Sequence, residues 1–185
     1  ILVDPDECLT ETVALLERET GVSSESLPYP SQAEEVSSWA NERPRQIRFL
    51  HFDGEHTAKA IMNDLALADI LLTADGILCL ADFFSAWYPQ ITYAACEFLS
   101  SQSTDLTFFL CGWNKGYLCR RDYAKDAILP YIRDRFSGDL EERGTRKFTL
   151  FKSDYPGQFN CFGIGPIIPG KRSIGPDSDT EHLHI

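Results

Sequence analysis

Apolar residues along the chain fall into short dense runs, and the spacing within each run points to a particular element. Ile1–Val3, closed by Asp4-Pro5-Asp6, reads as a short buried strand and a turn. Over 8–20, Val13, Leu16 and their neighbours give an apolar helical face, with Gly21 as a C-terminal stop. Residues 22–32, "VSSESLPYPSQ", are loop-like, and a short amphipathic helix carrying Val36 and Trp39 is predicted over 33–42, ended by Pro44. Ile47–Phe52 is a second strand. Thr57 can cap a helix running to about Leu72, with Ile61, Leu65, Ala68 and Leu72 on one face. Asp75-Gly76 reads as a turn. From Ile77 a continuous apolar run ends at Asp82, the pattern of a strand covered on both faces. Pro89 suits the first turn of a helix carrying Ile91, Ala95, Phe98 and Leu99. In "LTFFLCGWNKGYLC", residues 106–119, two apolar runs flank Gly112–Gly116 and predict a hairpin. A helix over 122–136 carries Tyr123, Ala127, Tyr131 and Ile132; residues 137–146 are polar and loop-like; "KFTLF" and "NCFGIG" read as two more strands. The stretch 166–185 is predicted to be an extended or mobile tail after a single domain over 1–165.

This order of elements predicts an α/β sandwich: a mostly parallel sheet with helices on both faces and an antiparallel hairpin at its edge. In such sheets ligands bind beyond the carboxyl ends of the strands. Asp4, Asp53 and Asp82 each close a predicted strand, so three parallel strands would bring all three carboxylates to one rim.

Composition narrows the partners. The formal net charge of −11 argues against nucleic acid. No apolar run reaches the eighteen or so residues that a membrane span needs. Six cysteines, none in a Cys-x-x-Cys pair, read as free thiols of a reducing, cytoplasmic setting. The chain starts at Ile1 without an initiator Met or a signal-like segment, which is compatible with a start inside a longer chain. Self-association into a homo-oligomer is also compatible with the pattern.

Three blocks carry a family resemblance: "HFDGEH" at 51–56 with the helix that follows, "ADGILCLADFFSAWYPQI" at 74–91, and "NKGYLC" at 114–119. In this order and spacing they resemble the class I S-adenosylmethionine-dependent methyltransferases, more narrowly the bacterial small-molecule O-methyltransferases with an IDGDH-type motif. The resemblance covers about 47–120 and implies a Rossmann-like fold, S-adenosylmethionine as cosubstrate and a small-molecule hydroxyl, of a sugar or natural product, as acceptor. It has departures. No G-x-G-x-G loop occurs, Ala81 stands where relatives often carry an acid, and Ser85 where they often carry Asn.

The resemblance implies roles for particular residues. Asp4 would hold the cosubstrate's ribose hydroxyls, and Asp53 would sit beside it or position the acceptor. Asp53 and Asp82 would supply the oxygen ligands that Mg²⁺ prefers, an expectation that Ala81 weakens. His56 is the candidate general base for the acceptor hydroxyl. Phe83 and Trp87, flanking Asp82, would line the acceptor pocket. Glu55 reads as a solvated or dipole-favoured acid, and Asn114-Lys115 as turn chemistry and edge-strand charge. Two other readings stand beside this one. The first is a non-catalytic binding or assembly module of the same fold, suggested by the missing glycine loop and by Ala81. The second is a nucleotide- or sugar-binding α/β enzyme of another class.

Overall fold

The computed structural model describes residues 2–3, 9–21, 23, 26–101, 104–136, 148–152, 161–166 and 183–184. Thr57, at extended backbone angles, accepts a hydrogen bond from the Ala60 amide and so starts helix α3 (Ala58–Leu71) as its sequence suggests. Pro89 opens α4 (Pro89–Ser100). Ahead of them lie α1 (Leu9–Thr20) and α2 (Glu34–Asn41). After the hairpin, α5 (Arg121–Tyr123), a π-helical stretch (Ala124–Ile128), α6 (Leu129–Tyr131) and a second π-helical stretch (Ile132–Phe136) follow without a break.

The main sheet has seven strands in the order β3-β4-β6-β5-β8-β7-β9. They are β3 (Ile47–Phe52), β4 (Leu72–Leu80), β5 (Leu106–Gly112), β6 (Lys115–Arg120), β7 (Phe148–Lys152), β8 (Phe162–Pro166) and β9 (Leu183–His184). Following the pairings, β3, β4, β5, β8 and β9 run one way, and β6 and β7 run against them. The sheet is thus mixed, with most strands sharing one direction.

Helices cover both faces. On one, Leu78, Leu80, Phe108 and Leu118 pack against Ile61 and Leu65 of α3 and Ile91, Ala95 and Leu99 of α4. On the other, Phe109, Cys119, Phe162 and Ile164 pack against Ala124 and Ile132. Alternating side chains of one strand therefore enter two cores, as the unbroken apolar runs of β4 and β5 require. Val36 and Ala40 of α2 pack against Leu67 and Leu71 of α3.

Four expectations change. The hairpin is not at the edge: β6 lies between β4 and β5, and the edges are β3 and β9. Leu118 and Cys119 explain this, since both are fully buried on opposite faces and an edge strand would leave one of them poorly covered. Asp75-Gly76 does not end a strand but lies within β4, where Ile47 pairs with Leu72 and Phe49 with Ile77, so the extra residues form a bulge. A Cβ on Gly76 would lie 2.7 Å from Leu72 Cδ2 and 3.0 Å from the Ile47 carbonyl, which accounts for the glycine. The short strand β1 (Leu2–Val3) does not join the main sheet but pairs in parallel with β2 (Ser26–Leu27). Part of the 166–185 stretch is ordered in the sheet, His184 lying opposite Thr149.

The five described cysteines are free, with Cys79 and Cys119 buried. Burial pushes the Cys119 thiol up to about 12. Among the described residues no helix is long and apolar enough to cross a membrane. β5 and β8 approach so closely that a Cβ on Gly112 would lie 2.0 Å from the Ile164 carbonyl oxygen.

Candidate functional site

β3 and β4 are parallel neighbours, with Phe52 opposite Leu80 and the Ala81 amide donating to the Phe52 carbonyl at 2.9 Å. Their carboxyl ends therefore coincide, and the next residues, Asp53 and Asp82, emerge side by side. Between Asp53 and α3 the chain turns through Gly54, Glu55 and His56. Open space surrounds Gly54. Glu55 points outward and accepts from Gln32 Nε2 at 2.8 Å, so it stands apart from the cluster.

His56 turns back toward the strand ends. Its Nε2 lies 3.1 Å from Asp82 Oδ2 and 4.0 Å from Asp53 Oδ1. At 3.1 Å the two atoms are close, yet this buried nitrogen makes no aligned hydrogen bond. The imidazole is held from outside the cluster. Tyr88 stacks on it with ring centroids 4.2 Å apart and planes 13° apart, and Gln90 Nε2 donates to the His56 carbonyl at 2.6 Å. Ligand atoms of Asp53, His56 and Asp82 all lie within 4.8 Å of one another.

Asp82 occupies the left-handed region at φ 52°, uncommon for a residue with a Cβ. Neighbouring bonds hold it there. The Phe83 amide donates to the Asn114 carbonyl at 3.1 Å, the Phe84 amide to Asn114 Oδ1 at 3.0 Å, and Asn114 Nδ2 to Asp82 Oδ1 at 2.6 Å. Thr92 Oγ1 donates to the Phe83 carbonyl, tying α4 to the same loop. Asn114 and Trp113 form the two-residue β5–β6 turn at φ 62° and 46°. That turn type requires positive φ at both positions.

The aromatic residues divide. Phe83 is 5% exposed and packs on Phe108 in the core, so it does not line an open pocket. Phe84, Trp87 and Trp113 are exposed at the rim, Trp87 at 87%. The outward aromatic next to Asp82 is thus Phe84, because the positive φ of Asp82 turns the loop and sends Phe83 inward.

Of the sequence-derived candidates, Asp53, His56 and Asp82 come together, Trp87 stands nearby in the same loop, and Phe83 goes to the core. Asp4 lies outside the described residues. Sequence reasoning missed Tyr88 and Gln90; it read Asn114 as turn chemistry, as the β5–β6 turn shows, but not its bond to Asp82.

Two other polar features lie apart from the rim. Arg120, 4% exposed, bonds to Asp69 Oδ1 at 2.5 Å, to Asp105, to the Asp69 carbonyl at 2.5 Å and to the Leu72 carbonyl at 3.1 Å. Asp64 of α3 is 2% exposed, with Oδ1 unpartnered. Burial raises its carboxyl to about 6, opposed by a Ser31 hydrogen bond and aided by the nearby charge of Glu55.

No protein-family model, no curated protein and no solved structure matches the chain.

Two carboxylates and one imidazole nitrogen within 4.8 Å of one another could supply part of a coordination shell. Carboxylates suit hard cations; an imidazole suits the later first-row metals. A mixed set of this kind fits Mn²⁺ or a similar divalent ion better than Mg²⁺.

Proposed function

We propose that the chain is an S-adenosylmethionine-dependent O-methyltransferase of a small-molecule hydroxyl, with Asp53, His56 and Asp82 as ligands of a divalent cation. The observation that carries this reading is the convergence of those three side chains at the shared carboxyl end of β3 and β4. The ordered blocks around 47–120 support it, since the cluster is built from two of them and braced by the third.

A bound divalent cation lowers the pKa of a hydroxyl that it contacts, which is the activation an acceptor oxygen needs. The residues of the chain hold and orient. Asp53 and Asp82 supply negative charge on one side. His56 offers Nε2 from a ring fixed by Tyr88, and with that atom turned to the carboxylates it serves as a ligand rather than as the base. Phe84 and Trp87 offer apolar ring surface beside the cluster for the body of an acceptor. Small displacements of such a group from the reacting methyl cost rate steeply, so a fixed rim matters.

For the cosubstrate the described residues offer no matching cradle. The sequence has no G-x-G-x-G, and β1, which precedes Asp4, pairs with β2 rather than with β3. This favours a second reading, a cation-binding module of the same fold without methyl transfer.

Calorimetric titration separates the two. Binding of both Mn²⁺ and S-adenosylmethionine, with loss of the Mn²⁺ signal in Asp53→Asn, is expected for the enzyme. Mn²⁺ binding alone supports the module. No Mn²⁺ binding removes both.

A further inference from the structure

We infer that Asn114 is a positioning residue for Asp82, presenting one carboxylate oxygen to the cation site; this inference rests on the cation-binding reading above. The hydrogen bonds leave one assignment. A backbone N–H can only donate, so the Asn114 atom that meets the Phe84 amide at 3.0 Å is the side-chain oxygen. The other end of the amide is then NH₂, and it donates to Asp82 Oδ1 at 2.6 Å, a short charge-assisted bond. With Oδ1 taken, Oδ2 is left facing His56 Nε2 at 3.1 Å. Oδ2 is thereby the Asp82 oxygen turned toward the proposed cation site.

The scaffold around this bond points to the same role. Asp82, Trp113 and Asn114 all sit at positive φ, at 52°, 46° and 62°. Three bonds join the two turns: both the backbone and the side chain of Asn114 hold the 82–84 segment. A hairpin turn needs only glycine or asparagine at such a position, and glycine fills it without any side chain. An asparagine whose two amide ends are both engaged on a neighbouring loop exceeds what the turn requires. Outer-shell partners of ligating carboxylates orient them in this way.

Asn114→Gly separates the roles, because glycine accepts φ 62° and keeps the turn. Mn²⁺ titration of the 185-residue chain, followed by calorimetry and by the electron paramagnetic resonance line shape, is the measurement. The substitution is expected to weaken Mn²⁺ on the order of 10–100-fold and to change the line shape, while metal-free melting stays close to that of the wild type. Amide exchange at Phe84 is expected to quicken with or without metal.

Equal Mn²⁺ affinity and line shape in both proteins would overturn the role of Asn114 and leave the site standing. A large drop in metal-free melting with affinity unchanged would make Asn114 a purely structural tie, which also overturns it. A wild-type chain that fails to bind Mn²⁺ would remove the underlying reading, and the positioning role with it.

Discussion

The two ends of β4 carry similar ingredients, two aspartates around one basic side chain, and use them oppositely. At the amino end Arg120, from the end of β6, meets Asp69, Asp105 and two backbone carbonyls, and its side chain is 4% exposed. The guanidinium cannot shed its proton, and both of its terminal nitrogens are engaged, while Nε is buried without a partner. At the carboxyl end His56 Nε2 is buried and lies 3.1 and 4.0 Å from Asp82 and Asp53 without an aligned hydrogen bond, while the Asp53 side chain is half exposed. A buried basic group bonded to two carboxylates and two carbonyls is a fastener. A cluster with no aligned bond between its imidazole and its carboxylates has valence left for a ligand. Charge count alone does not distinguish them; the number of aligned bonds to the basic group and its exposure, 4% against 28%, do.

The largest effect expected from breaking this contrast is at the fastener. Arg120→Met leaves Asp69 and the Leu72 carbonyl without their partner, and should cost about 3–5 kcal/mol in urea unfolding. A loss below about 1 kcal/mol would mean that the amino-end cluster is no more structural than the rim.

Asp64 sharpens the comparison, as an acid buried without any cation. Its folded-state carboxyl lies near 6 against an ordinary 3.8. Raised in the folded state, it favours folding fully below about pH 4, and that contribution is lost as pH climbs through 6. Unfolding free energy should therefore fall by about 2–3 kcal/mol between those limits from this group alone. Asp64→Asn should flatten the profile and leave the protein more stable than wild type at pH 8. An unchanged profile in urea titrations across that range would refute the burial argument.

The smallest stability effect is expected at the rim. Asp82→Asn keeps an oxygen to accept from Asn114, and asparagine tolerates the left-handed backbone well. The change in unfolding free energy should stay within about 0.5 kcal/mol, while Mn²⁺ binding falls at least on the order of 100-fold. A large destabilisation would show that the carboxyl-end cluster is also a fastener.

Much of this architecture was legible in the sequence. Thr57 and Pro89 announced their helices because each solves a local problem of the first turn. The double-sided burial of β4 showed in its unbroken apolar run. Asp53 and Asp82 could be placed together because parallel neighbours end on one rim. What stayed hidden depends on partners far along the chain. The position of β6 between β4 and β5 is decided by which hairpin strand meets β4, and both strands look alike in sequence. Asp75-Gly76 carried true turn chemistry, but tertiary pairing absorbed it as a bulge. Phe83 and Phe84 are indistinguishable until the φ of Asp82 decides which one turns inward. Arg120 and Asn114 each act on acids 51 and 32 residues away, beyond any local pattern.

The close approach at Gly112 has a mechanical consequence. Among the described residues, strands β3, β4, β6 and β5 are joined to β8, β7 and β9 through three opposed residue pairs, Leu110–Phe162, Cys111–Gly163 and Gly112–Ile164. Any side chain at 112 would wedge that short seam apart. Under load or partial denaturation the sheet should tear there first, shedding its carboxy-terminal strands as one piece while the rim that holds Asp53 and Asp82 stays assembled.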